Sequence, residues 1–121
     1  MIHVSLAIVV HPQRAAEMTQ ALRSLMLPLQ GEPGFISCRL YSQVDDHEAL
    51  CYVEEWQTAQ DLDHQIRSIH YTRLLALMEE AVLPPDLRIS WVTDVKGIEY
   101  LEAVRLGELG TASVPPPRGL G

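Results

Sequence analysis

The sequence predicts an α+β domain of order βαββαβ, in which a four-stranded antiparallel sheet carries its helices on one face. Three observations carry that prediction. Ile2, Val4, Leu6, Ile8 and Val10 alternate with His3, Ser5, Ala7 and Val9, a period of two. Residues 13–27 and 69–82 instead carry apolar side chains at helical spacing. Between them, a Gly/Pro turn and an acidic loop punctuate two further strand patterns. Strands and helices joined in this order leave one sheet face bare, and a chain this small cannot cover it alone. A second copy of the chain is the natural cover.

Each element follows from local chemistry. The first strand has apolar or small residues on both faces, so both are expected to be covered. Pro12 suits the first turn of a helix in which Met18, Leu22, Leu25 and Met26 recur and which Pro28 ends. Gly31 to Gly34 turn the chain. Phe35 to Ser42 then make strand two, Val44 to Glu48 a loop, and Ala49 to Trp56 strand three. Thr58 is a suitable cap for a short helix from Ala59 to about Arg67, with Asp61 favouring its positive end. Ser68 caps a second helix, Ile69 to Val82, with Tyr71, Leu74, Leu75, Met78 and Val82 as its apolar stripe. Pro84-Pro85 stops it, and Leu87 to Thr93 alternate as strand four. Val95 to Gly107 has the pattern of an amphipathic helix through Ile98, Leu101 and Val104. The expected organisation is therefore a domain over 1–94, a helical extension over 95–108 and a Pro/Gly-rich tail over 109–121.

Composition narrows the class of function. Nearly half the residues are hydrophobic, enough for a modest single core, and no apolar run approaches the roughly 18–20 residues of a membrane span. A net charge of −7 without a basic cluster argues against a nucleic-acid partner. The first residues read as a strand and not as an export signal, so the expected location is cytoplasmic. Cys38 and Cys51 fall on the two arms of the hairpin, where they could approach one another; they match no zinc or redox spacing and read as small apolar side chains.

The order of three motifs resembles the antibiotic biosynthesis monooxygenase family over about residues 2 to 94. These are the Glu32-Pro33-Gly34-Phe35 turn, Glu54-Glu55-Trp56 closing strand three, and Ser68-Ile69-His70-Tyr71 entering the last helix. The resemblance implies a ferredoxin-like fold, assembly as a dimeric α+β barrel, and oxidation of small aromatics by members that use no metal or flavin. Haem-degrading members carry an asparagine and a histidine where this chain has Leu6-Ala7 and Leu74-Leu75, so haem is not expected here. The sequence likewise has no zinc, P-loop, dinucleotide or nucleophile-elbow motif. The expected cofactor is none.

His70 is the candidate catalytic base, at the first turn of its helix beside the apolar stripe. The alternative is a helix-start histidine that packs and bonds a carbonyl. Family members often carry a further histidine five residues earlier, where this chain has Gln65. One residue is about 100° on a helix, so Gln65 takes the inward edge and His64 faces water. Tyr52, Trp56, Tyr71 and Trp91 either wall a cavity for a flat ring or are ordinary core. Arg39 either holds a substrate anion or pairs with Glu54 or Glu55 across the hairpin. Two functions compete: a cofactor-independent monooxygenase acting on a quinol, phenol or anthrone-like ring with dioxygen, and a non-catalytic dimeric ligand-binding or structural module.

Overall fold

A computed structural model describes residues 1–107; the expected tail, 109–121, lies outside the described residues. Strand β1 (Ile2–Val9) leads through a one-turn 3-10 helix at Pro12–Arg14 into α1 (Ala15–Met26). A second 3-10 segment, Leu27–Gly31, precedes the hairpin of β2 (Phe35–Gln43) and β3 (Asp46–Trp56). Helices α2 (Ala59–Ile66) and α3 (Ile69–Met78) come next, followed by β4 (Asp86–Trp91) and α4 (Ile98–Arg105). The sheet is antiparallel throughout, in the order β2-β3-β1-β4.

The register sorts the side chains into two faces. Ile2, Val4, Leu6 and Ile8 of β1 stand opposite Trp56, Glu54, Tyr52 and Leu50 of β3, and all eight are buried under the helices. Met18, Leu22 and Leu25 of α1, Leu62 of α2 and Tyr71 and Leu74 of α3 close this core from above. The opposite face carries His3, Ser5, Ala7 and Val9 beside Glu55, Val53, Cys51 and Ala49, and these residues remain partly open. Cys38 pairs with Glu54 on the helix side and Cys51 with Ala7 on the open side, so the two thiols are separated by the sheet itself.

Several boundaries differ from the sequence reading, each for a local reason. The hairpin loop shrinks to Val44–Asp45, because Asp45 adopts φ 70° and lets β3 start at Asp46. Helix α3 ends at Met78 instead of Val82, since the Val82 amide is drawn onto the Val9 carbonyl at 2.9 Å. Its buried stripe is Tyr71 and Leu74; Leu75, a further 100° round, is exposed. Every residue of β4 is exposed. Helix α4 is shorter than expected, starting at Ile98 after Gly97, whose amide donates to the Glu99 carboxylate at 3.0 Å. Its Ile98 and Leu101 are uncovered.

The Glu32–Phe35 turn places the core's last aromatic. Gly34 sits at φ 77°, and a Cβ there would collide with the side chain of Asp61. Asp61 is fixed in turn by Thr58: its amide donates to Thr58 Oγ1 at 3.1 Å, and Thr58 Oγ1 donates to Asp61 Oδ2 at 2.8 Å. One extra residue, Ile36, then interrupts pairing, so that Phe35 stacks edge-on against Trp56 at 5.6 Å between ring centroids. Gly34→Ala is expected to cost about 2–3 kcal/mol, since strain and collision add. Gly31→Ala, with open space around it, should change little. Thermal unfolding of both variants checks this, and equal melting temperatures would contradict it.

Candidate functional site

The centre of the molecule is a carboxylate. Glu54 lies on the buried face of β3 between Tyr52 and Trp56, and none of its surface reaches solvent. Strand alternation places all three side chains on one side, so both aromatic neighbours reach the carboxylate with their polar ends. Tyr52 Oη donates to Glu54 Oε2 at 2.7 Å, and Trp56 Nε1 donates to Oε1 at 2.9 Å. From α3, Tyr71 Oη donates to Oε1 at 2.8 Å and His70 Nε2 stands 2.9 Å from Oε2. An ionised carboxylate has about four lone-pair sites, and here all four are filled.

Local chemistry explains why α3 delivers two adjacent residues to one carboxylate. Ser68 Oγ accepts the His70 amide at 3.2 Å and donates to the Gln65 carbonyl at 2.6 Å, which fixes the start of the helix against the end of α2. His70 and Tyr71, about 100° apart round the axis, then straddle Glu54 with ring centroids 5.4 Å apart.

The electrostatics follow from this arrangement. Burial raises the Glu54 pKa, but the hydrogen bonds from His70, Tyr52, Trp56 and Tyr71 outweigh it and hold the group below its ordinary value of 4.5. Burial and the adjacent carboxylate push both tyrosine hydroxyls well above their ordinary value, which keeps them as donors. Burial also raises Cys38 to about 11, so its thiol is no nucleophile at neutral pH. Because Glu54 only accepts, His70 Nε2 must carry a proton. The neutral imidazole is then the tautomer with a bare Nδ1. Nδ1 makes no hydrogen bond among the described residues, and no buried side-chain nitrogen there lacks a partner, so Nδ1 keeps access to solvent.

His70, 9% exposed, is where this network meets the outside. It borders a hollow of about 120 Å³ whose lining includes Leu25, Glu32, Gln65, Ser68 and Arg73. Gln65 is buried with its amide donating to Glu32 Oε2 at 2.8 Å, while His64 faces water. Larger hollows of about 520 and 460 Å³ lie on the open sheet face and beside α1. Neither is bordered by a buried titratable group, which leaves the smaller one beside His70 as the candidate site.

The remaining sequence candidates are placed differently. Tyr52, Trp56 and Tyr71 form the floor beneath His70 and do not line the hollow. Trp91 is opposite Ile2 at the end of β4 and 65% exposed, away from it. Arg39 pairs with Val53 on the open face, across the sheet from His70, and Glu55 bonds Ser37 at 2.6 Å. Period two sends Arg39 to the face away from Glu54 and from a ligand beside His70, and it shares that face with Glu55, the other expected partner, whose carboxylate interacts favourably with it. Glu54 itself escaped the sequence reading as a site residue. Its signal was a carboxylate in phase with Leu50, Tyr52 and Trp56 on a buried strand face. Among the described residues, no group of three or more His, Cys, Asp or Glu side chains is arranged to hold a metal ion.

A depressed carboxylate pKa stabilises the fold above the unfolded value and loses that contribution as pH falls through the folded one. The wild type should therefore lose stability progressively below about pH 4.5. Glu54→Gln would set an amide donor against buried donors and cost about 3 kcal/mol or more at neutral pH. It should also flatten the acid limb. Denaturant titrations between pH 3 and 7 test this; parallel curves for the two proteins would refute it.

Comparison with known proteins agrees with the fold. The model of the family described as antibiotic biosynthesis monooxygenase matches residues 1–76. No curated protein matches the chain significantly. Among solved structures, a conserved protein from Methanosarcina mazei Go1 is similar at 27% identity and a TM-score of 0.69, over 76% of this chain and 92% of that one. Rv0793 from Mycobacterium tuberculosis superposes at 21% identity and a TM-score of 0.70, over 79% and 98% of the two chains. A crystal structure of an antibiotic biosynthesis monooxygenase superposes at 17% identity and a TM-score of 0.68, over 78% of this chain and all of that one. With the family model covering well over half of its length, the chain belongs to the antibiotic biosynthesis monooxygenase family.

Proposed function

We propose that the protein is a cofactor-independent monooxygenase that oxidises a small hydroxylated ring with dioxygen. The observation that carries this reading is the His70–Glu54 pair: Nε2 is committed to a buried carboxylate, Nδ1 is left as an acceptor, and the residue borders a hollow. Glu54 fixes the tautomer and stabilises the imidazolium once His70 has taken a proton, as a carboxylate behind a general base does elsewhere.

The reaction balances without an external reductant. His70 Nδ1 takes the proton of a ring hydroxyl. A ring C–H carbon ortho to the resulting oxyanion gives two electrons to dioxygen and forms a C–O bond. The peroxide anion takes the proton back from His70. The O–O bond then breaks as the C–H proton leaves, so that carbon becomes C=O and the second oxygen departs as water. The protein contributes a base, orientation and exclusion of water. At about 120 Å³ the hollow is well below the ~300–1,000 Å³ of sites for drug-sized ligands, which favours a single ring over an anthrone.

His70→Ala should cut dioxygen uptake with a quinol by roughly 10²–10⁴ while the far-ultraviolet spectrum is unchanged. His64→Ala should have no effect. Equal rates in both variants, or wild-type uptake no faster than autoxidation, would favour the binding or structural module instead.

The reading includes a homodimer in which two open sheet faces meet. Ser5, Ala7, Cys51 and Val53 at the centre of that face are small enough for close approach. Ile98 and Leu101 of α4 would pack at the boundary, each fully buried aliphatic contributing roughly 1.5–3 kcal/mol. Sedimentation at micromolar concentration should give twice 13.6 kDa, and cutting after Thr93 should weaken association. A monodisperse monomer of the full chain would remove the dimer from the account.

A further inference from the structure

With Arg39 on the far side of the sheet, the hollow at His70 has a different cation. Arg73 follows His70 by three residues on α3, so the two side chains leave the same flank of the helix, with Cβ atoms about 5–6 Å apart. Both line the hollow, and Arg73 is the one cation that does so. Arg14, Arg88 and Lys96 are engaged with carboxylates, whereas Arg73 has no ion pair among the described residues. Glu32 is the one carboxylate on the lining, and Gln65 holds it in place through the 2.8 Å bond. The hollow is thus bordered by a base, a free guanidinium and an anchored carboxylate.

These three groups impose a charge condition on the ligand. Before proton transfer, Arg73 and Glu32 balance one another across the hollow. After transfer, Glu54 balances the imidazolium, and the new oxyanion requires a cation that only Arg73 can supply. A ligand that arrives already ionised meets the Glu32 carboxylate without having given His70 a proton. A neutral ring hydroxyl is therefore admitted and a ring carboxylate is disfavoured. The second lone-pair edge of Glu32, left free by Gln65, accepts from a further hydroxyl on the same ring.

Resting on the reading above, we infer that Arg73 and Glu32 are the positioning and selecting residues of this site: Arg73 holds the oxyanion that His70 generates, and Glu32 accepts from a second ring hydroxyl and turns away a ring carboxylate. Arg73 then sets where the phenolate forms, and Glu32 sets which rings enter.

The probe is 4-nitrocatechol, whose absorbance reports ionisation, with 4-nitrobenzoate as the carboxylate control. Titration against the full-length protein should show 4-nitrocatechol bound with its first hydroxyl ionising at lower pH than in free solution. Arg73→Gln should abolish that shift and weaken binding by roughly tenfold or more, the worth of one charge-assisted hydrogen bond, and Arg73→Lys should restore part of it. Glu32→Gln should weaken 4-nitrocatechol and strengthen 4-nitrobenzoate. The inference falls if the wild type does not bind 4-nitrocatechol, or if Arg73→Gln binds it with unchanged affinity and pH dependence. It is distinguishable from failure of the oxidation reading. Loss of the shift in Arg73→Gln, with quinol oxidation indifferent to His70→Ala, would uphold the role of Arg73 and remove the oxidation. Oxidation dependent on His70 with an indifferent Arg73 would do the reverse.

Discussion

A single buried negative charge organises this molecule. Taking a carboxylate out of water costs several kcal/mol, and the interior must return that through hydrogen bonds of good geometry. Glu54 receives four donors, two from its own strand and two from a helix that packs above it. Each donor is a large side chain whose ring also fills the core, so packing and polar satisfaction are the same constraint met by the same atoms. The arrangement leaves little tolerance for error, because an unmet bond in such a place costs about as much as a whole cap or cavity.

The rest of the architecture can be understood as what holds those donors still. Thr58 and Ser68 cap the two short helices, and Ser68 also ties α3 to the end of α2. Gly34 brings the chain close to Asp61 and delivers Phe35 against Trp56. Of these devices, Ser68 borders the hollow beside His70, while Thr58, Gly34 and Phe35 act from outside it. They determine the angle at which His70 and Tyr71 descend on the sheet, and a base held by a buried partner has one ring nitrogen left to act with.

Much of the fold was legible because period two and period 3.6 are separate signals and the caps are local. The βαββαβ order, the caps at Thr58 and Ser68, and the inward turn of Gln65 with His64 outside all follow from spacing. What was not legible depended on long-range contact. The early end of α3 needs the Val9 carbonyl, which is remote in sequence. Trp91 and Arg39 have the right chemistry, but sheet order and register send one to an uncovered strand and the other to the opposite face. Glu54 was in plain phase with its buried neighbours, yet a glutamate beside a glutamate reads as surface until the four donors around it are known.

The most direct test of this account is the protonation state of the His70 ring, read by nitrogen-detected NMR of the histidine-labelled protein at neutral pH. The account predicts a neutral fraction with the proton on Nε2 and a bare Nδ1, and it predicts that Glu54→Gln redistributes the proton between the two nitrogens. A proton resident on Nδ1 in the wild type, or a tautomer unchanged by Glu54→Gln, would contradict it.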